Sequence, residues 1–227
     1  MSDERISPID DSRFTRFRDL LAQAPFNVTS VRDPSDIEQR HIGESLALVR
    51  ALAAAGHLPS GARVIDVGSG GGLPGIPMAI ARPDLAVVLL EATGKKADFL
   101  EDVAQRLHLR NVRVLAARAE EAAHQPDERE RYDLATARAV APLATLVELT
   151  LPFVRVGGAL AALKGSRADE EIAAAAVAVQ RCGGGLIDIR SLTAEQFTPR
   201  LVIVPKIAPS PDELPRRSGI PAKRPLR

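Results

Sequence analysis

The spacing of hydrophobic positions changes near residue 60. Before that point apolar side chains recur every three or four residues over residues 12–24 and 36–55, which is the spacing of amphipathic helices. One face of the second helix would carry Ile37, His41, Ser45, Leu48 and Leu52. Gly56 follows at the position where a helix commonly ends. We therefore predict a small helical cap over residues 1–60.

Beyond residue 60, short continuous apolar runs alternate with helical stretches. The runs cover residues 64–68, 86–92, 112–117, 132–138 and 158–165, and the helices cover residues 75–82, 95–108, 119–124, 143–154 and 167–181. This alternation is typical of a parallel sheet with both faces covered. Two further runs, 186–192 and 201–206, are separated only by a loop and predict an antiparallel hairpin. Residues 61–206 are therefore expected to form a mostly parallel seven-stranded α/β sheet, the layout of Rossmann-like class I methyltransferases.

The composition, 45% hydrophobic and 26% charged, is that of an ordinary globular protein. Cys182 is the one cysteine, which excludes an internal disulfide and a cysteine-built metal site, and the four histidines lack metal-ligand spacing. No metal is expected. The opening MSDERISPID is polar, and no apolar run approaches the ~20 residues of a membrane span. We expect a cytoplasmic protein with no membrane contact.

Positive charge is concentrated at the C-terminus. The net charge of the chain is +1, yet residues 205–227 carry six Lys and Arg against two Asp and Glu. Residues 207–227 are also rich in proline, so we expect an extended or loosely ordered basic tail. Such a tail either contacts an acidic partner or is simply solvated.

The strongest chemical signal is the sequence DVGSGGGLPG at residues 66–75, between a predicted strand and a predicted helix. Gly68, Gly70 and Gly72 form a GxGxG pattern, and Leu73 stands where a dinucleotide fingerprint has its third glycine. Glu91 ends the next predicted strand, where a carboxylate can accept hydrogen bonds from both ribose hydroxyls. These features favour S-adenosylmethionine as cofactor, whereas the glycines alone would fit a plain tight turn.

The remaining strand ends supply further candidates. Ala119 and Glu120 follow the third strand, where an adenine would lie, although acids are also common in the first turn of any helix. Arg138 ends the fourth strand and Lys164 the fifth, so both should reach the ligand crevice, and they are the two predicted catalytic residues. The alternative for Arg138 is a structural ion pair with Asp133, Glu120 or Asp66.

Two absences bear on the methyl acceptor. The stretch TARAVAP after the fourth strand lacks the Asn/Asp-Pro-Pro-aromatic run usual for amine methylation, and Cys182 lies away from the predicted site. The acceptor should therefore need neither a general base nor a cysteine nucleophile. The N7 atom of guanine fits, since it is an unprotonated lone pair on the major-groove edge.

The chain resembles the ribosomal RNA small subunit methyltransferase G family from about residue 26 to its end. The resemblance is carried by FNVTSVRD (26–33), RHIGESL (40–46), DVGSGGGLPGIP (66–77), RAEE (118–121), RAVAP (138–142), ALKG (162–165) and PRRSGIPAKRPL (215–226). It implies methylation of guanine N7 in the 530 loop of 16S rRNA. By similarity, the cofactor positions are Gly68, Leu73, Ala119, Glu120 and Arg138, and the basic residues near the site are Arg40, His41, Lys95, Arg138 and Lys164.

The expected partner is 16S rRNA or the assembling small ribosomal subunit, contacted by a monomer. RNA contacts are assigned to Arg40, His41, Lys95, Arg216, Arg217, Lys223 and Arg224. Aromatic side chains for base stacking are scarce: Tyr132 is the one tyrosine, so arginine or Phe26 would have to stack. The alternatives are a non-catalytic nucleotide-binding or ribosome-assembly module on the same fold, and a small-molecule methyltransferase.

Overall fold

The computed structural model describes residues 11–24, 33–138, 140–192 and 199–227. Phe26, most of residues 27–35 and the predicted loop at residues 193–198 lie outside these residues. The stacking role predicted for Phe26 therefore stays a prediction.

Seven strands form one sheet in the order β3-β2-β1-β4-β5-β7-β6. They are β1 (Arg63–Val67), β2 (Ala86–Glu91), β3 (Val112–Ala116), β4 (Tyr132–Arg138), β5 (Val154–Lys164), β6 (Asp188–Ser191) and β7 (Arg200–Pro205). Strands β1 to β5 pair in parallel, and β7 pairs antiparallel with both β5 and β6. The predicted mostly parallel sheet with an antiparallel hairpin is confirmed.

Helices cover both faces of the sheet, which is why the inner strands β1, β2 and β4 are buried on both sides. The helices that alternate with the strands are α4 (Gly75–Ala81), α5 (Gly94–Arg106), α6 (Ala119–Ala122), α7 (Leu143–Thr150) and α8 (Ala168–Arg181). One buried cluster joins the sheet to α4 and α5, and a second joins it to α6, α7 and α8. None of the helices within the described ranges is long and apolar enough to cross a membrane.

The N-terminal cap is helical, but its second helix is not uniform. After α1 (Ser12–Ala22), the predicted helix 36–55 is divided into α2 (Pro34–Asp36), a π-helix (Ile37–Ile42) and α3 (Gly43–Ala54). Asp33 begins this segment, since its side chain accepts from two backbone amides of the first turn. The cap residues Phe14, Phe17 and Ile37 are buried in the same cluster as residues of the sheet, so cap and sheet share one core.

The C-terminal segment 207–227 packs against the α/β domain, which corrects the prediction of an extended, loosely ordered tail. Leu214 and Leu226 are buried in the cluster that contains α7. Arg129 donates hydrogen bonds to three backbone carbonyls of the segment, those of Ser210, Pro211 and Leu214. A short helix, α9 (Ile220–Lys223), follows. Buried leucines and polar partners elsewhere in the chain hold this proline-rich segment in place.

Candidate active site

The carboxyl ends of the parallel strands meet at one edge of the sheet. This edge is where open α/β sheets bind their ligands. The glycine loop follows β1, Glu91 ends β2, α6 follows β3, Arg138 ends β4 and Lys164 ends β5. The fold therefore places the predicted cofactor residues and the two predicted catalytic residues along a single edge.

The glycine loop turns sharply and runs close to neighbouring segments. Gly68, Gly70 and Gly72 have positive φ angles of 71°, 56° and 88°, which are unfavourable for residues with a side chain. A Cβ on Gly68 would lie 2.9 Å from Val140, on the segment that follows β4. Leu73 is different, because its side chain is only 5% exposed and belongs to the hydrophobic core. Its side chain therefore packs inward. A cofactor contact by Leu73 would be made by its backbone, and that contact stays a prediction.

Glu91 holds the glycine loop against the end of β2. Its Oε2 accepts from the backbone amide of Gly70 at 2.9 Å, and its Oε1 accepts from the amide of Thr93 at 2.8 Å. A carboxylate oxygen has two lone pairs, so each oxygen keeps one for a ligand hydroxyl. Glu91 is 6% exposed, so it is held in one position beside the loop.

Asp66 lies at the end of β1 beside the glycine loop and was not among the predicted site residues. The carboxylate is buried and accepts from Thr136 Oγ1 at 2.9 Å and from the Gly75 amide at 3.1 Å. It thereby connects the end of β1 to β4 and to the start of α4. Burial raises the pKa of Asp66 to about 6, although these hydrogen bonds and the charge of Arg138 oppose the shift. An acid inside the apolar run VIDVG was the available sequence signal.

Arg138 forms its contacts with the cap. Its Nη1 lies 3.2 Å from Nδ1 of His41 and 3.4 Å from Oε2 of Glu44. None of the three partners considered from the sequence is used: Asp133 pairs with Arg155, and Glu120 and Asp66 bind backbone amides. The cap therefore touches the end of β4 directly.

His41 is not the cation that the family resemblance implied. A guanidinium nitrogen can only donate, so the Nδ1 of His41 must accept the hydrogen bond from Arg138. Burial and the charge of Arg138 lower the pKa of His41 to about 4. The imidazole is neutral near pH 7, and His41 can contact RNA only as a neutral group.

Lys164 is held by the protein at the end of β5. Its Nζ donates to the carbonyl oxygen of Ala141 at 2.7 Å and forms an ion pair with Glu171 at 2.8 Å. The same Glu171 accepts from the backbone amide of Leu143, where α7 begins. The ammonium group thus supports the segment after β4, and the predicted catalytic role of Lys164 stays a prediction.

Glu120 joins α6 to the C-terminal segment. Its Oε1 accepts from the backbone amide of Gly219 at 2.8 Å, and the neighbouring Glu121 accepts from Ser218 Oγ at 3.0 Å. Ala119 begins α6 and is partly exposed. Adenine contacts by Ala119 and Glu120 stay predictions, and Glu120 has one oxygen engaged with the backbone.

The predicted RNA-binding residues divide into exposed and internally paired groups. Arg40 is partly exposed on the π-helix, and Lys95 is exposed in the first turn of α5. The exposed basic residues of the C-terminal segment are Arg217, Lys223, Arg224 and Arg227. Arg216 is instead paired with Glu148, which is fully buried, through Nε at 2.8 Å and Nη2 at 2.7 Å. The structure therefore gives Arg216 a structural contact, and its predicted RNA contact stays a prediction.

The donor set fits S-adenosylmethionine. Glu91 offers carboxylate lone pairs where a ribose would lie, and a negative charge there would repel a 2′-phosphate. The loop from Gly68 to Gly72 lets a ligand approach the backbone closely. In the described part of the chain, no three His, Cys, Asp or Glu side chains form a group that could hold a metal ion.

The strand order, the glycine loop after β1 and the acid after β2 define the Rossmann-like fold of class I methyltransferases. Solved structures agree at the level of fold. A putative O-methyltransferase from Klebsiella pneumoniae has a TM-score of 0.61 at 16% identity, covering 87% of this chain and 91% of its own. The tRNA (m1A58) methyltransferase TrmI from Aquifex aeolicus has a TM-score of 0.59 at 13% identity, covering 85% and 76%.

Sequence comparison specifies the family. The profile of rRNA small subunit methyltransferase G matches residues 11–198. The ribosomal RNA small subunit methyltransferase G of Roseiflexus castenholzii is 47% identical over 201 residues, covering 88% of this chain and 84% of its own. Its namesake from Chloroflexus aggregans is 44% identical over 225 residues, covering 96% and 92%. The chain belongs to the rRNA small subunit methyltransferase G family.

Proposed function

We propose that this protein transfers the methyl group of S-adenosylmethionine to N7 of a guanine in 16S rRNA, within its 530 loop. Family membership over residues 11–198 supports the enzyme class and the RNA. The observation that carries the choice of N7 is the environment of Arg138. Its described neighbours are His41, whose pKa is lowered to about 4 and whose Nδ1 already accepts from Arg138, and Glu44, which is ion-paired with Arg138. Neither is therefore poised to take a proton from an acceptor.

Cofactor binding is assigned to the glycine loop and Glu91. The carboxylate of Glu91 accepts from the ribose hydroxyls while its other lone pairs keep the Gly70 and Thr93 amides in place. Gly68, Gly70 and Gly72 keep side chains out of the space beside the loop. Ala119 and Glu120 would lie beside the adenine. When bound, S-adenosylmethionine supplies a methyl group already activated by a sulfonium.

The chain must align the acceptor and exclude water. Guanine N7 carries a lone pair and no proton, so the reaction needs no general base. Arg138 cannot act as one, because its guanidinium stays protonated at any working pH. Its remaining N–H donors can hold guanine O6, bind a phosphate in a bidentate arrangement, or fix the carboxylate of the cofactor. Orientation of the reacting atoms then supplies most of the rate enhancement.

RNA binding is assigned to basic residues that are exposed or partly exposed. They are Arg40 on the π-helix, Lys95 on α5, and Arg217, Lys223 and Arg224 of the C-terminal segment. The C-terminal residues are exposed on a segment that is itself fixed by buried contacts, so their charges are presented in a defined place. A fixed set of cations binds phosphates at a lower entropy cost than a flexible tail.

The protein is further proposed to act as a monomer in the cytoplasm, on 16S rRNA or on the assembling small subunit. Sedimentation of the purified protein at assay concentration measures the first point, and a dimer would contradict it. Methylation of naked rRNA compared with small-subunit particles distinguishes the substrates.

A methyl-transfer assay on matched RNA fragments tests the proposed function. Fragments of 16S rRNA that contain the 530 loop are expected to accept labelled methyl groups from S-adenosylmethionine, and fragments that lack the loop are not. Equal labelling of both fragments would contradict the assigned substrate. Absence of transfer to either fragment and to subunit particles would contradict the enzymatic function.

A further inference from the structure

Arg138 is anchored at one end of its guanidinium group. Nη1 meets His41 and Glu44, both from the cap, and the side chains of Arg138 and Glu44 are only 16% and 17% exposed. The π-helix that carries His41 runs directly into α3, which carries Glu44. Single π-helical turns of this kind are frequent at functional sites.

The other end of the same group remains available. Among the described residues, none forms a hydrogen bond with Nε or Nη2 of Arg138. Neither nitrogen is fully buried. These two nitrogens form the edge of the guanidinium that binds two acceptor atoms side by side. One end of Arg138 is thus fixed by the cap while the opposite end can bind a ligand.

The positive charge of Arg138 affects the energy of methyl transfer, and the carboxylate of Glu44 can offset that charge. In the proposed reaction the positive charge moves from sulfur to the guanine ring, as the methyl–sulfur bond breaks and the bond to N7 forms. An uncompensated guanidinium beside the guanine would oppose that movement, because like charges repel more strongly in a partly buried site. The carboxylate of Glu44 forms a pair with Arg138 and offsets its charge.

We propose that Glu44 is the positioning residue of this enzyme: it orients Arg138 toward the acceptor and offsets its charge during methyl transfer. This inference rests on the proposed function. It assigns Glu44 an effect on the transfer rate that is exerted through Arg138 alone. Glu44 itself touches neither the cofactor nor the RNA.

A double-mutant cycle tests the assignment. Single-turnover methyl transfer at saturating RNA and cofactor would be measured for the wild type, Glu44→Gln, Arg138→Gln and the double variant. We expect Glu44→Gln to lower the rate about tenfold, equivalent to about 1.4 kcal/mol, with the dissociation constant for S-adenosylmethionine unchanged. In the Arg138→Gln background, Glu44→Gln should have no further effect on the rate.

Glu38→Gln is the matched control. It removes the same charge from the neighbouring π-helix, where Glu38 is half exposed and pairs with Arg18, and it should leave the rate unchanged. Should Glu44→Gln prove unfolded by circular dichroism, Glu44→Asp replaces it in the cycle. That variant keeps the charge but is one methylene too short for the 3.4 Å contact.

The outcomes are distinct. A wild-type rate in the Glu44 variant, or rate losses that simply add in the double variant, would overturn the positioning role while leaving the enzyme class untouched. Failure of the wild type to methylate the RNA would instead overturn the proposed function.

Discussion

Glu91 shows how one side chain can serve both the fold and the ligand. Its two oxygens accept the Gly70 and Thr93 amides, so the carboxylate is already oriented before a ligand arrives. Preorganisation of this kind lowers the cost of binding, since neither the loop nor the acid has to be ordered by the cofactor.

Replacing Glu91 should therefore weaken cofactor binding. Glutamine has one acceptor oxygen, so in Glu91→Gln an NH₂ group would face a backbone N–H and a hydrogen bond to the ribose would disappear. We expect the affinity for S-adenosylmethionine to fall by about 1–3 kcal/mol in calorimetric titration. Glu101→Gln, on an exposed face of α5, is the control. An unchanged dissociation constant in Glu91→Gln would mean that Glu91 serves the fold alone.

Asp66 should make the stability of the protein depend on pH. Folding raises the pKa of this buried carboxyl from 3.8 to about 6, mainly through burial. A group whose pKa is raised on folding stabilises the fold fully below its unfolded pKa, and this contribution is lost as pH rises through the folded pKa. From about pH 4 to about pH 7, the free energy of unfolding of the wild type should therefore fall relative to Asp66→Asn, by at most about 3 kcal/mol.

Urea unfolding of both proteins at several pH values measures this difference. Any hydrogen bond that the Asp66→Asn variant loses lowers its free energy of unfolding by the same amount at every pH. The test therefore uses only the change with pH in the difference between the two proteins. A difference between wild type and Asp66→Asn that stays constant with pH would show that Asp66 ionises in the folded protein as it does in the unfolded chain.

At the scale of elements, the segment between β4 and α7 is supported from β5 and α8. Lys164 holds the Ala141 carbonyl, and Glu171 holds both Lys164 and the Leu143 amide. Val140, in the same segment, lies against Gly68 of the glycine loop. The position of this segment thus depends on the ion pair between Lys164 and Glu171.

Lys164 and Glu171 should therefore have similar effects on methyl transfer. We expect Lys164→Met and Glu171→Gln each to lower the single-turnover rate on the order of tenfold, because both loosen the segment that borders the site. Glu170→Gln, an exposed neighbour on α8, should match the wild type. A wild-type rate in Glu171→Gln together with a slow Lys164→Met would instead support the sequence-based prediction that Lys164 is itself catalytic.

Elements built from continuous apolar runs were predictable, and those built from distant contacts were not. β4 coincides with the predicted 132–138 because a strand buried on both faces is apolar throughout. The placement of the glycine loop after β1 and of Glu91 at the end of β2 was also predictable, because each follows from a continuous apolar run. The π-helix was missed because its apolar residues fit ordinary helical spacing. The contacts of Arg138 were missed because Glu44 and His41 lie 94 and 97 residues away and meet it only when the cap packs on the sheet.

At the scale of the whole molecule, some basic residues of the C-terminus are buried or ion-paired within the protein and others are exposed. Lys206 is fully buried, donates to the Leu151 and Cys182 carbonyls and pairs with Glu130, while Arg216 pairs with Glu148. Composition could not reveal this division, because the acids concerned come from other parts of the chain. The buried Cys182 has a pKa raised to about 12 by burial, in keeping with a structural cysteine.

Two adjacent arginines should separate stability from RNA binding. Arg216→Gln leaves the fully buried Glu148 without its ion-pair partner, so we expect a loss of about 3–5 kcal/mol in the free energy of unfolding. Arg217 is exposed, so Arg217→Gln should leave stability unchanged. Its effect should be to flatten the salt dependence of RNA affinity by about 0.7–0.9 in log–log slope for each phosphate that the side chain no longer neutralises.

Point substitutions are the sharper test here, since deleting residues 207–227 would also remove the buried Leu214 and Leu226. Urea unfolding and filter binding at several salt concentrations provide the two measurements. An unchanged salt slope in Arg217→Gln would remove that residue from the RNA interface.

Chemical mapping of the methylated atom tests the central claim most directly. RNA containing the 530 loop would be incubated with the enzyme and S-adenosylmethionine, then reduced with borohydride and cleaved with aniline, which breaks the chain at 7-methylguanosine. We predict a single new cleavage at a guanine of that loop, present with the wild type and absent without cofactor. Methyl label incorporated into RNA that remains uncleaved, or cleavage at a guanine outside the 530 loop, would contradict the account.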